Sequence, residues 1–267
     1  MVRRLPIHVW PHEDVLAEMG EHIRNSRCAK HISITSSELM FNTVRNPLLS
    51  EYIQNAGFSL CDSMGVVLAG AVQGARVRRF TGPLLMEKSC EFGISQHWRH
   101  FFCGGAEGLA LLLSHRLTAR FPGLITAGIF CPPFRGLGNE EERRMIETIN
   151  TAEPDILWVG LGVVRQELWI ARYRGRLTVP WLVGVGGAFD YHAGTTPWAP
   201  KWVRRAGMEW MYRLCKEPWR FKRILSCYIN LLEATLETAL RRPVVLGNWR
   251  VDQPPQYRGR AKRPAHC

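Results

Sequence analysis

Six short apolar runs, each parted from the next by a stretch of helical periodicity, constrain this chain more than any other feature. They cover 31–35, 58–61, 100–103, 124–130, 156–160 and 181–186. Most are apolar at nearly consecutive positions rather than at alternate ones. Strands of that kind need cover on both faces, which is the condition of a parallel sheet with helices on each side. Helical patterns fill the gaps at 64–72, 82–93, 107–121, 140–152 and 165–173, and 1–28 reads as a helical entry segment. The expectation is an α/β fold, a Rossmann-like and mostly parallel sheet covered by helices.

After Pro197 and Pro200 the alternation stops. Lys201–Lys216 reads as one helix, and Pro218 suits the first turn of another. That second helix places apolar residues at 221, 224, 225, 228, 231, 232, 236 and 239, which is helical spacing. The expected organisation is an α/β core over 1–198, a basic helical appendage over 199–242, and a disordered basic tail over 243–267, rich in Pro, Arg and Gly.

Charge separates these parts. The chain carries a net +12, but 199–267 holds 15 Lys and Arg against 5 Asp and Glu, leaving almost none of the excess to the core. Such a surface attracts polyanions, either anionic lipid headgroups or nucleic acid. Trp202, Trp210 and Trp219 interleave with Arg204, Arg205, Arg213, Arg220 and Arg223, the composition of helices lying in a membrane interface. Two amphipathic helices packed on the sheet are the plainer reading of the same pattern. A bilayer partner is favoured and nucleic acid is not expected, although a basic nucleic-acid-binding protein is the rival reading.

Other classes are set aside. No apolar run reaches the 18 residues that a transmembrane helix needs, and MVRRLPIHVWPHEDV does not read as a signal peptide. The eight cysteines form no CxxC pair, which points to reduced thiols and no structural zinc. Classical NAD binding lacks its GxGxxG fingerprint and its acid near Phe130. No DxD pair is present to hold a metal on a sugar nucleotide.

The residues that can carry chemistry lie at strand ends, where open α/β sheets bind ligands. CDSMG at 61–65 puts Asp62 between a strand and a helix, as an N-cap or as a general base. In RFTG at 79–82, Thr81 can cap the next helix, while Arg79 and that helix start can hold an anion. Gly104 and Gly105 in CGGAEG, then Gly162, Arg165 and Gln166 in GLGVVRQE, form glycine-rich strand-to-helix turns suited to a nucleotide. Glu167 can cap or pair locally. GVGGAFDYHAG at 184–194 adds a third such turn, with Gly187, Asp190 and His192. His192 either touches substrate or orients a neighbour, and Asp190 is the reserve base.

Taken in order, RxTG at 79–82, GLGxxxQE at 160–167, GGAFDxxAG at 186–194 and APxWxxxxGxEWxxRLxxEPxR at 199–220 resemble the bacterial WecG/TagA/CpsF glycosyltransferase family. The resemblance runs from about residue 31 to 225. It implies an inverting, metal-independent enzyme that needs no cofactor. Such an enzyme moves N-acetylmannosamine or a related hexose from a UDP-sugar to a polyprenyl-diphosphate-linked sugar. The setting implied is the inner face of the bacterial plasma membrane, in teichoic acid or exopolysaccharide synthesis. It implies Asp62 as base, and Arg213, Arg220 and Arg223 as appendage residues that steady the leaving diphosphate. Three departures from the family pattern stand out, the first of which bears on donor or acceptor contacts. In ITSSE at 34–38, which includes Ser36, serine stands where the family has asparagine. Ser63 replaces a glycine, and Val164-Arg165 replaces Pro-Lys.

Overall fold

The computed structural model describes residues 5–216 except Val44, Gln73 and Phe134, and beyond them Pro218, Phe221, Leu225 and Ile229. The chain opens extended, with a bridge from His8 to Leu60, before helix α1 (His12–Asn25). Then come β1 (Lys30–Thr35), α2 (Ser37–Thr43), α3 (Pro47–Gln54), β2 (Phe58–Cys61), α4 (Met64–Val72) and α5 (Gly82–Gly93). The second half of the body holds β3 (Arg99–Gly104), α6 (Leu109–Arg120), β4 (Ile125–Phe130), α7 (Asn139–Thr151), β5 (Ile156–Gly160), α8 (Arg165–Tyr173), β6 (Trp181–Gly184) and α9 (Ala188–Ala193). The six strands form one sheet in the order β2-β1-β6-β5-β3-β4, and every pairing is parallel. The α/β fold expected from the alternation is the fold observed.

Alternate residues of one strand serve opposite faces. In β5, Ile156 and Trp158 enter a core with Val15, Leu85 and Leu113 from α1, α5 and α6, while Leu157 and Val159 enter another with Leu49, Met145 and Ile170 from α3, α7 and α8. All four β5 residues are fully buried. Burying each such side chain contributes about 1.5–3 kcal/mol, so the sheet centre anchors the fold.

Topology then fixes where a ligand can sit. From β3 the chain runs outward to β4, whereas from the neighbouring β5 it runs the other way to β6. Such a reversal opens a crevice beyond the carboxyl ends of the two strands. Gly104 of β3 pairs with Gly160 of β5 there, and a Cβ on Gly104 would lie 2.7 Å from the Gly160 carbonyl oxygen.

Four expectations are corrected. The entry segment is helical only from His12, since Pro11 cannot sit inside a helix and opens this one. The glycine-rich turn at 186–194 contains the short helix α9, closed by Gly194 in a left-handed conformation. Lys201–Lys216 is two helices, α10 (Lys201–Arg205) and α11 (Glu209–Lys216), because Gly207 adopts a φ of 72°. The rest of the helix expected from Pro218 and the tail expected over 243–267 lie outside the described residues. Cys61, Cys90, Cys103, Cys131 and Cys215 are free, while Cys28 is disulfide-bonded, against the expectation of thiols throughout.

Candidate active site

Two adjoining cavities, of about 250 and 770 Å3, open at the carboxyl ends of the strands. Ser36, Asp62, Gly187 and Arg213 line both, so the two are lobes of one cleft. The larger lobe lies over the β3/β5 crevice, between Gly105 and Gly162. The smaller runs from Asp62 past Arg79 and Thr81 to the start of α11.

Asp62 follows the last residue of β2, and its N–H donates to the Thr35 carbonyl at 3.1 Å. The ladder thus continues one step past the strand and aims the side chain over the sheet edge. Its carboxylate accepts the Gly82 N–H at the start of α5. Burial pushes its pKa up; the Arg79 charge opposes that rise, Glu209 adds to it, and Arg213 opposes it more weakly. Among the described residues this carboxylate forms no ion pair. A partly buried, unpaired carboxylate with a raised pKa, facing a cleft, is suited to accepting a proton.

Arg79 is bridged by its backbone to Cys61, which brings it beside Asp62. Its Nε donates to the Asp62 backbone carbonyl at 3.1 Å and one terminal nitrogen to the Arg204 carbonyl at 3.2 Å. The other terminal nitrogen pairs with the Glu209 carboxylate. One guanidinium therefore ties the strand-end loop to both helices of the appendage.

The appendage seats on this loop through Gly207. A Cβ there would lie 2.3 Å from the Met64 Cγ, two residues beyond Asp62. Two cations complete the seat. The Arg204 guanidinium stacks on Trp198 at 4.0 Å, and that of Arg213 stands 5.2 Å from Tyr191, whose ring stacks on Trp198. The Arg213 Nε is buried without a hydrogen-bond partner among the described residues. Its terminal nitrogen lies 3.4 Å from where a Gly187 side chain would begin, so the cation rests directly on the glycine turn.

The remaining expected site residues divide. Ser36 lines both lobes and caps α2 by accepting the Leu39 N–H at 3.2 Å. Thr81 lines the smaller lobe and caps α5, accepting from the Leu84 N–H at 3.4 Å. Gly105, Gly162, Arg165 and Asp190 line the larger lobe, and Gln166 the smaller. Between Gly162 and Arg165, Val164 holds a φ of 74°, a strained conformation for a β-branched residue in a turn that lines the cleft. Gly104 and His192 line neither lobe. Gly104 serves the close approach of β3 to β5. The His192 Nε2 lies 2.9 Å from the Pro83 carbonyl and burial lowers its pKa, so it links α9 to the start of α5. Glu167 is wholly buried and contacts the Gln166 amide at 3.3 Å. Arg220 and Arg223 lie outside the described residues.

Glu38, Glu209 and Trp210 line the cleft without having been singled out from the sequence as site residues. For Glu209 the signal was its place beside Trp210 and four residues before Arg213, in a motif read for its cations. Its partner lies 130 positions away, beyond any local pattern.

The sequence model of the glycosyl transferase WecG/TagA/CpsF family matches residues 1–243. Among curated proteins, an N-acetylglucosaminyldiphosphoundecaprenol N-acetyl-beta-D-mannosaminyltransferase of Bacillus spizizenii is 29% identical over 86% of this chain and 84% of its own length. Proteins of the same name from Bacillus subtilis and Staphylococcus aureus are each 27% identical, over 78% and 66% of the chain and 80% and 68% of their own lengths.

Proposed function

Since the chain belongs to the WecG/TagA/CpsF family of glycosyltransferases, we propose that it moves N-acetylmannosamine or a related hexose from a UDP-sugar to a polyprenyl-diphosphate-linked sugar. The reaction is a single inverting displacement without a metal. The observation that carries this reading is the partly buried Asp62 carboxylate, unpaired among the described residues, at the junction of two lobes lined by arginines.

Asp62 takes the proton from an acceptor hydroxyl. That oxygen forms a bond to the anomeric carbon of the donor, the bond from that carbon to the β-phosphate oxygen breaks, and UDP leaves with the electron pair. Fixed cations aimed at the growing negative charge replace a divalent ion. Arg213, resting on the glycine turn, is assigned to this, with Arg79 nearby; Arg220 and Arg223 are assigned the same task. The nucleotide occupies the larger lobe, with backbone N–H groups of the turns at Gly105 and Gly162 and the Arg165 charge on its phosphates. Ser36, Thr81, Gln166, Gly187 and Asp190 complete the contacts to donor and acceptor.

The acceptor is a lipid, and the appendage presents a surface for its membrane. Trp202 is 67% exposed, and Trp210, Met211, Phe221, Leu225 and Ile229 are exposed as well. Among the described residues no helix is long and apolar enough to cross a bilayer. Apolar side chains flanked by the exposed Lys201 and Lys216 suit peripheral attachment to anionic lipid.

The test is UDP release from a set of UDP-sugars with a short-chain polyprenyl-diphosphate N-acetylglucosamine acceptor. Release should need both substrates and survive chelation of divalent ions. Strict dependence on magnesium or manganese would overturn the metal-free mechanism, and no release from any UDP-sugar would overturn the donor class.

A further inference from the structure

Arg79 stands within reach of two carboxylates and pairs with one of them. Its backbone bridge to Cys61 and its Nε bond to the Asp62 carbonyl at 3.1 Å fix the base of the guanidinium beside Asp62. Its terminal nitrogens can turn toward the Asp62 carboxylate or toward the appendage. They turn to the appendage, to the Arg204 carbonyl at 3.2 Å and the Glu209 carboxylate. The Asp62 carboxylate keeps the Gly82 N–H and gains no guanidinium.

Both alternative partners of Arg79 come from the appendage, and the tight contact of Gly207 with Met64 sets where they arrive. With the appendage lifted away, Asp62 would be the nearest anion to a cation that cannot leave its side. An arginine paired with a carboxylate favours the charged form and lowers its pKa by about 1–3 units. A base weakened in that way draws a proton less effectively in the transition state.

We propose that Glu209 is a positioning residue for the transfer reaction: by holding the Arg79 guanidinium against the appendage, it keeps that cation from pairing with the Asp62 carboxylate. Docking of the appendage then completes the base as well as the charge clamp on the diphosphate. The inference rests on the reading of Asp62 as the base. Its other charged or titratable neighbours are Arg213 on α11, Glu38 on α2, Tyr191 on α9 and the adjacent Cys61, whose thiol burial pushes up to about 12.

The experiment measures kcat against pH for wild type, Glu209→Gln, Glu209→Asp and the double variant Arg79→Gln/Glu209→Gln, using the full chain on liposomes. Glu209→Gln should move the acid limb down by about 1–3 pH units and lower the plateau by roughly tenfold or more. Glu209→Asp should keep the limb near that of wild type. The double variant has no guanidinium to misplace, so its limb should return to or above the wild-type position even where its plateau stays low. If a variant turns over too slowly, the 13C titration of the Asp62 carboxyl, assigned by its loss in Asp62→Asn, gives the same shift without catalysis. An unmoved limb and titration in Glu209→Gln would overturn the proposal, leaving Glu209 as a mechanical tether. An active Asp62→Asn enzyme would instead overturn the reading of the base itself, so the two failures are distinguishable.

Discussion

In the sheet body Leu157, Trp158 and Val159 vanish between two layers of helices, whereas α11 of the appendage buries none of its residues. The body is held by apolar area, of which it has a large surplus. Among the described residues, the contacts of the appendage include Val203, the approach of Gly207 to Met64, the Arg79–Glu209 ion pair, the Arg79 hydrogen bond to the Arg204 carbonyl, and two cations over aromatic rings. Contacts of that second kind contribute about 0.5–1 kcal/mol each at partly exposed sites. A site built across the two regions is therefore sturdy on one side and easily undone on the other. Substitutions in the body should register in stability, and substitutions at the seat should register in turnover.

The largest effect expected is on chemistry alone. Asp62→Asn keeps the size of the side chain and removes its basicity, which should lower kcat by about 10²–10⁴-fold with the melting temperature unchanged. A variant that melts normally and transfers sugar at near the wild-type rate would remove Asp62 from the mechanism. Gly207→Val comes next. It forces a β-branched residue to a φ of 72° and drives its Cβ into Met64, at a cost of about 2–4 kcal/mol against seating. Turnover on lipid-linked acceptor should fall on the order of tenfold to a thousandfold while the main thermal transition stays in place. A melting point lowered in step with activity would mean that the two regions unfold together, and the contrast drawn above would fail.

A change in the body with the opposite signature is available at Glu167. Burial raises its pKa from the ordinary 4.5 to about 7, with the hydrogen bond from the Gln166 amide opposing the rise. In the window between those values the folded chain binds more protons at this site than the unfolded chain does. Stability from this group is thus present in full below pH 4.5 and is lost as the pH rises toward 7 and beyond. The loss is of the order of 3 kcal/mol. Glu167→Gln, neutral at every pH, should flatten that part of the stability profile and melt above wild type at pH 8. Urea unfolding at pH 5 and pH 8 measures it, and an unchanged slope in the variant would show that Glu167 ionises freely in the fold.

The same division governs how much the sequence discloses. Strands buried on both faces, such as Ile156–Gly160, announce themselves as runs, because every position must be apolar or small. The short helices Ser37–Thr43 and Pro47–Gln54 were missed, since seven or eight residues barely complete the pattern that marks a helix. Lys201–Lys216 misled for another reason. Its amphipathic pattern runs on through Gly207, and no pattern of hydropathy encodes the left-handed turn that Met64 requires. In the cleft, the positions of Asp62, Gln166 and Arg165 were legible because strand ends are where the crevices of such a sheet open. The contacts of Glu209 and His192 were not, because their partners, Arg79 and Pro83, are each more than a hundred positions away.

The smallest effect expected tests the seat most finely. Arg204 contributes two separable things: its backbone carbonyl, which accepts from Arg79, and its guanidinium plane, which lies 4.0 Å from the Trp198 ring. Arg204→Ala retains the first and deletes the second, removing about 0.5–1 kcal/mol of cation–π attraction. That corresponds to a two- to fivefold fall in the seated population, and kcat with lipid-linked acceptor should fall by the same factor. Arg204→Lys keeps the charge but loses the planar stack, so it should land between the two. A loss beyond fiftyfold in Arg204→Ala would mean that the guanidinium meets substrate rather than Trp198. No loss in either variant would mean that the aromatic seat does not limit closure, and that Gly207 and the Arg79–Glu209 pair suffice to hold the appendage over Asp62.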